Sequence, residues 1–423
     1  MNQRKRNCFF VMLLLFSLLL PIFTTPVSAA PESNESAAVS NAADPVQEAA
    51  EHFSYNDEVS VMLIGDPESQ KILFEKNIDE TKPVASMSKL MTYYIVKKQI
   101  ASGAVNLSDV VTVSASAAAL HRFEYSNYGL IEGEKLTVEQ LLRGLMVVSG
   151  NDAAEALAER VSGNKEAFAA LMNQTAQELG LTRSHFINPH GLTEGSAMNE
   201  MSARDLFSLC ARILKEFPEV TEYAKILALS EPERNFSGKA TIASLLESIP
   251  GLDGLKTGMT DEAGYCFAGS ADLSAYDENL NFHIIAIEMG APTEEARWRT
   301  VKELVDFSAG SFHEEKVVQQ DLLYKTAYLA QAENPEVKLY PAESYSTITY
   351  QTVLYDVQYE LYDNVPLPAP AGTAFGEIRI SRDGQAIKKI DLVAHEDVEK
   401  ASFSTNLSRG LHRFVNFLGE LTR

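Results

Sequence analysis

The sequence predicts an α+β domain with helices on an antiparallel sheet, then a small all-β domain and a C-terminal amphipathic helix. Three observations predict this. Two strand-like runs precede a long block of helical periodicity, and strands and a last helix follow it; that order suits an α+β domain better than the strict alternation of a parallel sheet. After about residue 315 the texture changes to alternating stretches rich in Tyr, Val and Thr. The final stretch, NLSRGLHRFVNFLGELTR, carries one apolar stripe at helical spacing.

The chain has 423 residues, 45% hydrophobic and 22% charged, which suits a soluble protein with a sizeable core and more than one domain. It opens on a basic head (Arg4, Lys5, Arg6), an apolar run interrupted by Pro21 and Pro26, and Val27-Ser28-Ala29. Residues 1–29 therefore read as a secretory signal, which places the mature protein outside the cytoplasm. Cys8 lies too early in this segment to be a lipid-attachment cysteine. Removing the signal takes the formal net charge from −22 to −25. So acidic a chain excludes nucleic acid as a partner, because phosphate affinity comes from Lys and Arg. Residues 30–52, rich in Ala, Ser, Pro, Asn and Glu, read as a flexible linker. Cys210 and Cys266 read as buried small residues, with a bridge between them left open.

A first domain is expected over residues 53–314. EVSVMLIG and KILFEKN flank the turn cluster Asp66-Pro67-Glu68-Ser69 and predict a hairpin. It leads into a helix carrying PVASMSKLMT, where Leu90, Met91, Tyr94 and Ile95 supply the packing. Thr137 and Gln140 fit a capping box ahead of LLRGLMVV. DAAEALAERV and KEAFAALMNQTAQELG have helical period and composition. Strand signals return in LKTGMT, GYCFAGSA and NFHIIAIEMG, and a helix follows from about residue 293 to 307. Residues 315–402 form the β-rich domain: STITYQTVLYDVQYELYD alternates, and FGEIRIS and AIKKIDLVA flank Asp383-Gly384, a hairpin turn signal. In the helix over residues 403–423, Leu407, Leu411, Phe414, Val415, Leu418 and Leu421 make the stripe, with Arg409, His412, Arg413 and Arg423 off it.

Ser86 and Lys89 lie three apart in PVASMSKLMT and share a helix face. An ammonium held against a hydroxyl in a dry place tends to lose its proton, and a neutral amine makes the serine beside it a nucleophile. Alone, this pattern also fits an ordinary solvated lysine. Ser149-Gly150-Asn151 alone fits a turn, and Lys256-Thr257-Gly258 alone fits a strand end. In the order S-x-x-K, S-x-N, K-T-G they match the set used by penicillin-binding proteins and class A β-lactamases, where the middle motif is S-D-N.

In these motifs, and in LTVEQLLRGLMVVSGNDAAEALAE, FINPHGL, MSARDL and GLDGLKTGMTDEAGYCF, the chain resembles the low-molecular-mass penicillin-binding proteins, specifically the serine-type D-alanyl-D-alanine carboxypeptidases. The resemblance runs from about residue 53 to the C-terminus and implies a penicillin-binding-protein/β-lactamase-like transpeptidase domain. It implies a peptidoglycan stem peptide ending in D-Ala-D-Ala as substrate, and acylation by β-lactam antibiotics. Ser86 would attack the carbonyl between the two D-alanines, with Lys89 as base. Ser149 would pass a proton to the leaving amine, and Asn151 would hold the peptide's amide. Lys256 would add positive potential, Thr257 would meet the substrate's terminal carboxylate, and Gly258 would let the substrate backbone lie close to the strand. The backbone N–H groups of Ser86 and Met259 would form the oxyanion hole. Arg297, in GAPTEEARWRT, would hold the terminal carboxylate.

The chain departs from the family pattern in two places. Met259 stands where relatives often have histidine, and HRFEYSNYGLIEG replaces a loop that tends to contain serine and glycine. Only the backbone of residue 259 enters an oxyanion hole, so activity is expected to survive. His190 in NPHGL reads as a structural loop histidine, because Lys89 already fills the base role. No H-E-x-x-H or paired-cysteine pattern is present, so no metal or cofactor is expected. The alternatives are a class A-like β-lactamase and a catalytically silent peptidoglycan-binding scaffold. The first lacks an E-x-x-L-N block, Glu178 in QELGLT reading as a helix end; the second is disfavoured by intact motifs. The basic amphipathic tail is expected to hold the protein on the outer face of the cytoplasmic membrane, within the cell envelope.

Overall fold

The computed structural model describes Ala49, Phe53 and residues 58–421 apart from 123, 351, 352 and 383. The signal segment, most of the linker, Asp383, Arg423 and the side chains of residues 419–421 lie outside the described part.

Five antiparallel strands form the central sheet: β1 (Val61–Gly65), β2 (Ile72–Lys76), β3 (Lys256–Thr260), β4 (Gly264–Asp272) and β5 (His283–Ala291), in the order β2-β1-β5-β4-β3. The β1–β2 hairpin turns where expected. The Asp66 carboxylate accepts from Glu68 N at 2.9 Å and Ser69 Oγ at 2.5 Å, as an Asx turn does. Strand alternation divides the interior in two. Val61, Leu63, Ile285, Ile287 and Met289 face one core, and Met62, Ile64, Ile284 and Ala286 face the other.

Five long helices pack on the first core, beside shorter ones: α1 (Lys89–Ala101), α2 (Val138–Met146), α3 (Asn151–Ser162), α4 (Lys165–Glu178) and α5 (Ala203–Glu216). Helix α2 starts on the expected capping box, with Thr137 and Gln140 bonding reciprocally. The second core lies under α6 (Glu294–Ser311), capped by Thr293. The result is a helix–sheet–helix sandwich. Cys210 and Cys266 are both buried free thiols, so the bridge left open by sequence is not formed.

Helix α6 runs straight into β6 (Phe312–Val318), which pairs with β9 (Tyr345–Tyr350). The change of texture read at residue 315 thus falls inside a strand that begins at Phe312. Beyond it, β7 (Lys325–Tyr328), β8 (Glu336–Pro341), β10 (Asp356–Leu361), β11 (Ala374–Arg382) and β12 (Gln385–Ala394) form a second antiparallel sheet, ordered β7-β8-β12-β11-β10. This sheet has its own core, including Leu339, Ile378, Ile380 and Leu392. Arg382 pairs with Gln385, which closes the β11–β12 hairpin; Asp383 of the turn dipeptide named from sequence lies outside the described residues.

The last helix, α7 (Phe403–Leu421), leaves Leu407, Leu411, Phe414, Val415 and Phe417 exposed. Its other side is tied to the β domain. Arg409 donates to the carbonyl oxygens of Ala330, Ala332 and Glu333 at 2.8 to 3.1 Å. The Glu333 carboxylate accepts from Ser402 N and Thr405 Oγ1, both at 2.5 Å. Arg409, which sequence placed among the free charges of the tail, therefore docks the helix instead. Among the described residues no helix is long and apolar enough to cross a membrane.

Candidate active site

Helix α1 explains why a lysine stands in the core. Every residue from Lys89 to Lys97 is buried, so this half of α1 has no solvent face. Ser86 lies outside the α-helix that the sequence predicted for it. It sits on a 3₁₀ turn, Ala85–Ser88, that runs into α1. Side chains three apart eclipse on such a turn, and Lys89 Nζ lies 2.9 Å from Ser86 Oγ.

The turn is entered through Ala85 at φ +45°, a left-handed conformation that costs a residue with a Cβ about 1–2 kcal/mol. Two glycines press against it. Gly191, in the NPHGL loop, passes so close that a Cβ would lie 1.9 Å from the Ala85 carbonyl oxygen. Gly258 on β3 passes so close that a Cβ would lie 2.8 Å from Val84 O and 3.2 Å from Ser86 N. Sequence reading gave Gly258 the task of admitting the substrate backbone; here its bare Cα admits the turn that carries Ser86. Ser88 is buried and donates to Ala85 O at 2.7 Å, so it staples the turn.

Lys89 Nζ also donates to Asn151 Oδ1 at 2.7 Å and to the His190 carbonyl oxygen at 2.6 Å. Burial, and next the positive charge of Lys256, hold its pKa well below that of an ordinary lysine, while Asp152 acts in the opposite sense. Asn151 is the first residue of α3. Ser149, two residues earlier, has φ +58° and a buried Oγ with no hydrogen-bond partner. Lys256 is buried on β3, where Nζ donates to Thr257 O at 2.9 Å and to Thr241 Oγ1 at 3.4 Å. Burial first, and then Arg297, lower its pKa to about 7. Thr257 is buried beside it, and the Met259 side chain is 53% exposed.

Arg297 comes from α6, on the other side of the sheet. It is buried, lies over the Tyr265 ring at 5.5 Å and donates from Nη2 to Glu294 at 2.8 Å. Ser86, Lys89 and Asn151 thus touch directly, whereas Lys256 and Arg297 are linked to them through charge. The arrangement combines an exposed-side hydroxyl, a buried amine and a line of positive potential, which suits acyl transfer to a substrate bearing an anion.

Comparison with known proteins agrees with that chemistry. The family profile described as D-alanyl-D-alanine carboxypeptidase matches residues 48–293. The chain belongs to this family. A second profile, penicillin-binding protein 5 C-terminal domain, matches residues 312–400. The D-alanyl-D-alanine carboxypeptidase DacF of Bacillus subtilis is 31% identical over 85% of this chain and 90% of its own length. The crystal structure of penicillin binding protein 5 from Haemophilus influenzae superposes with a TM-score of 0.66 at 28% identity, over 82% of this chain and 98% of that one. Penicillin-binding protein D2 of Listeria monocytogenes, solved in its ampicillin-bound form, superposes at 30% identity and TM-score 0.52, over 59% of this chain and 97% of its own.

Two features of this carboxypeptidase escaped the sequence reading. The first is the carbonyl of His190, a backbone atom that no residue-type pattern reports. The His190 ring is buried, accepts from Leu192 N at 3.2 Å and lies 3.9 Å from Glu155, so only its carbonyl meets the amine. The second is Asp152, which follows Asn151 in the motif. Its carboxylate accepts from Tyr128 N, Leu130 N and Ala153 N at 2.7 to 2.9 Å. It thereby fastens the divergent loop to α3. Glu178, in turn, is the exposed last residue of α4 and accepts from Gln174 at 2.8 Å.

Asp152→Ala should leave the buried Tyr128 and Leu130 amides unpaired, at a cost of about 2–5 kcal/mol. Asp152→Asn, which keeps one acceptor oxygen, should cost less. The measurement is the urea unfolding midpoint of each variant, and equal midpoints for wild type and Asp152→Ala would contradict the assignment.

Proposed function

We propose that the chain removes the terminal D-alanine from peptidoglycan stem pentapeptides through an acyl-enzyme on Ser86. The partners of Lys89 carry this reading. Asn151 Oδ1 and His190 O are carbonyl oxygens, which accept and never donate, so each takes an N–H from Nζ. A neutral amine has two N–H bonds, and its lone pair is then left facing Ser86 Oγ at 2.9 Å. The hydroxyl proton has an acceptor aimed at it.

On this reading Ser86 Oγ attacks the carbonyl carbon between the two D-alanines and its proton passes to Lys89 Nζ. The developing oxyanion rests on the backbone N–H groups of Ser86 and Met259. Ser149 Oγ relays that proton from Lys89 Nζ to the departing amine as the C–N bond breaks, and Asn151 holds the peptide's amide. Water then attacks the ester, and its proton passes by way of the again neutral Lys89 to Ser86 Oγ as the C–O bond breaks, which frees the acid and restores the serine. The substrate's terminal carboxylate meets Thr257, Lys256 and Arg297, and its charge favours the protonated form of Lys256. Penicillin takes the same place and acylates Ser86. No step asks for a metal or a cofactor.

The tail gives the site its location. The exposed apolar side of α7 and the basic residues beside it suit the headgroup region of an anionic membrane. The docked side of α7 then makes the β domain a spacer between that surface and the Ser86 cleft. With the secretory signal read from the sequence, the proposed location is peripheral, on the outer face of the cytoplasmic membrane.

Ser86→Ala should abolish both D-alanine release from a stem pentapeptide and covalent labelling by fluorescent penicillin, with unfolding unchanged. A covalent penicillin adduct on that variant would sink the assignment. Arg297→Ala should raise KM for the peptide on the order of tenfold while penicillin acylation falls less, because Lys256 and Thr257 remain for the antibiotic's carboxylate; equal losses on both would mean general damage. A chain ending before Leu407 should still cleave soluble peptide but no longer sediment with anionic liposomes. High salt should weaken liposome binding of the full chain without removing it, since the apolar contribution is not screened. Equal partitioning of the two forms would show that the helix is not the anchor.

A further inference from the structure

One buried acid has no part in that mechanism. Glu288 stands in the middle of β5 and is 0% exposed. Its neighbours Ile287 and Met289 face the core of the five helices, and Ile284 and Ala286 face the core under α6, so alternation puts Glu288 on the α6 side. Its register partners are Met62 on β1 and Phe267 on β4, both apolar, and Phe267 in turn lies opposite Thr257 on β3. Met62, Glu288, Phe267 and Thr257 therefore form one row across four strands, and Arg297 descends from α6 over Tyr265 of β4.

Packing alone would call for an aliphatic side chain at this position. Glu288 instead buries both carboxyl oxygens with no hydrogen-bond partner, and Arg297 Nε is likewise buried and unpartnered. The ion pair of Arg297 runs outward, to Glu294, whose side chain is 60% exposed. A bare carboxylate in such a compartment is far more costly than the neutral acid. Burial accordingly raises the pKa of Glu288 well above the usual carboxyl range, against the pull of Arg297 from α6. The residue facing it from β4, Phe267, is apolar; the Cys266 thiol beside Phe267 belongs to the core of the other face and is pushed up to about 12, first by burial and then by Glu288. Met62 brings no charge from β1.

We propose that Glu288 sets the strength of the carboxylate subsite: as the neutral acid it leaves the charge of Arg297 to the substrate's terminal carboxylate, and when ionised it draws on that charge from beneath. This rests on the mechanism above and on the role of Arg297 in it. The consequence is an affinity for peptide that falls on the alkaline side.

The test is the pH dependence of KM and kcat for D-alanine release from a stem pentapeptide, measured on the full chain, on Glu288→Gln and on Glu288→Met. Glutamine copies the neutral acid and methionine an apolar side chain of similar length; neither ionises. As the pH rises on the alkaline side the wild-type KM is expected to climb on the order of tenfold above that of both variants, with the difference in KM rather than kcat. Lys256 loses charge over part of this range in all three proteins and cancels in the comparison. In an Arg297→Ala background, Glu288→Gln is expected to change nothing further. Parallel KM profiles for wild type and variants overturn the inference and leave the mechanism standing. A kcat loss at every pH in Glu288→Met, with Glu288→Gln like wild type, assigns the residue to packing and also overturns it. A wild type that releases no D-alanine overturns the carboxypeptidase reading, and the inference falls with it.

Discussion

The centre of this molecule depends on keeping a lysine dry without giving it an anion to touch. The oxygen partners of Lys89 Nζ are a hydroxyl, a side-chain amide and a peptide carbonyl, all neutral. A carboxylate in any of those places would favour the ammonium and raise its pKa. The acid that opposes the shift, Asp152, is next to Asn151 in the chain, yet its oxygens are engaged by three backbone N–H groups. Those donors hold the carboxylate on the far loop and disperse its charge away from the amine. Structural satisfaction of Asp152 and the neutral partners of Lys89 are thus two aspects of one constraint.

That constraint shapes the fold around it. For Nζ to meet groups from two distant segments as well as Ser86, those segments must crowd onto one end of α1, and backbone must pass backbone at less than the width of a side chain. Gly191 and Gly258 supply the two passages, one on each side of the Ala85–Ser88 turn. Helix α1 is buried along its first half because the other helices and the sheet close around that point. Two cores follow from the same geometry. One encloses the amine, and the other lies behind the sheet, where α6 carries Arg297 round to the edge strand β3.

Much of this was legible in the sequence, for identifiable reasons. The strands of the central sheet are buried on one or both faces and read as apolar runs; the helices read from period and, at Thr137 and Gln140, from a capping box. The three motifs named the side chains because the chemistry demands those residue types. The rest was hidden where the determining atoms belong to the backbone or to distant segments. No pattern announces the His190 carbonyl as a partner of Lys89, or the strand-to-turn contact at Gly258. Ser86 was placed in an α-helix because i and i+3 coincide on α and 3₁₀ turns alike, and only the left-handed Ala85 separates the two. Helical position placed Arg409 off the apolar stripe but gave it no partner; its guanidinium reaches far enough to take three carbonyls of a neighbouring turn. Glu288 drew no notice, since one acid in a strand has no sequence signature of burial.

The positive groups are also ordered. Arg297 lowers the pKa of Lys256, and Lys256 lowers that of Lys89. A guanidinium does not give up its proton in a protein, so the line has a fixed charge at one end. Lys256 comes next, its pKa lowered to about 7, and the line ends at Lys89, whose pKa burial and the charge before it hold well below that of an ordinary lysine. On the proposed mechanism this order matches the substrate. The permanent charge lies where the terminal carboxylate is bound, the adjustable one lies between, and the lone pair lies where the proton must be removed. Exchanging the ends would defeat both tasks, because a guanidinium beside Ser86 could accept no proton and a neutral amine at the carboxylate would offer no charge. The surrounding chain, at −22 overall, repels anions, so on this mechanism the affinity for a carboxylate has to be built locally, by Arg297 on α6 and by Lys256 and Thr257 on β3.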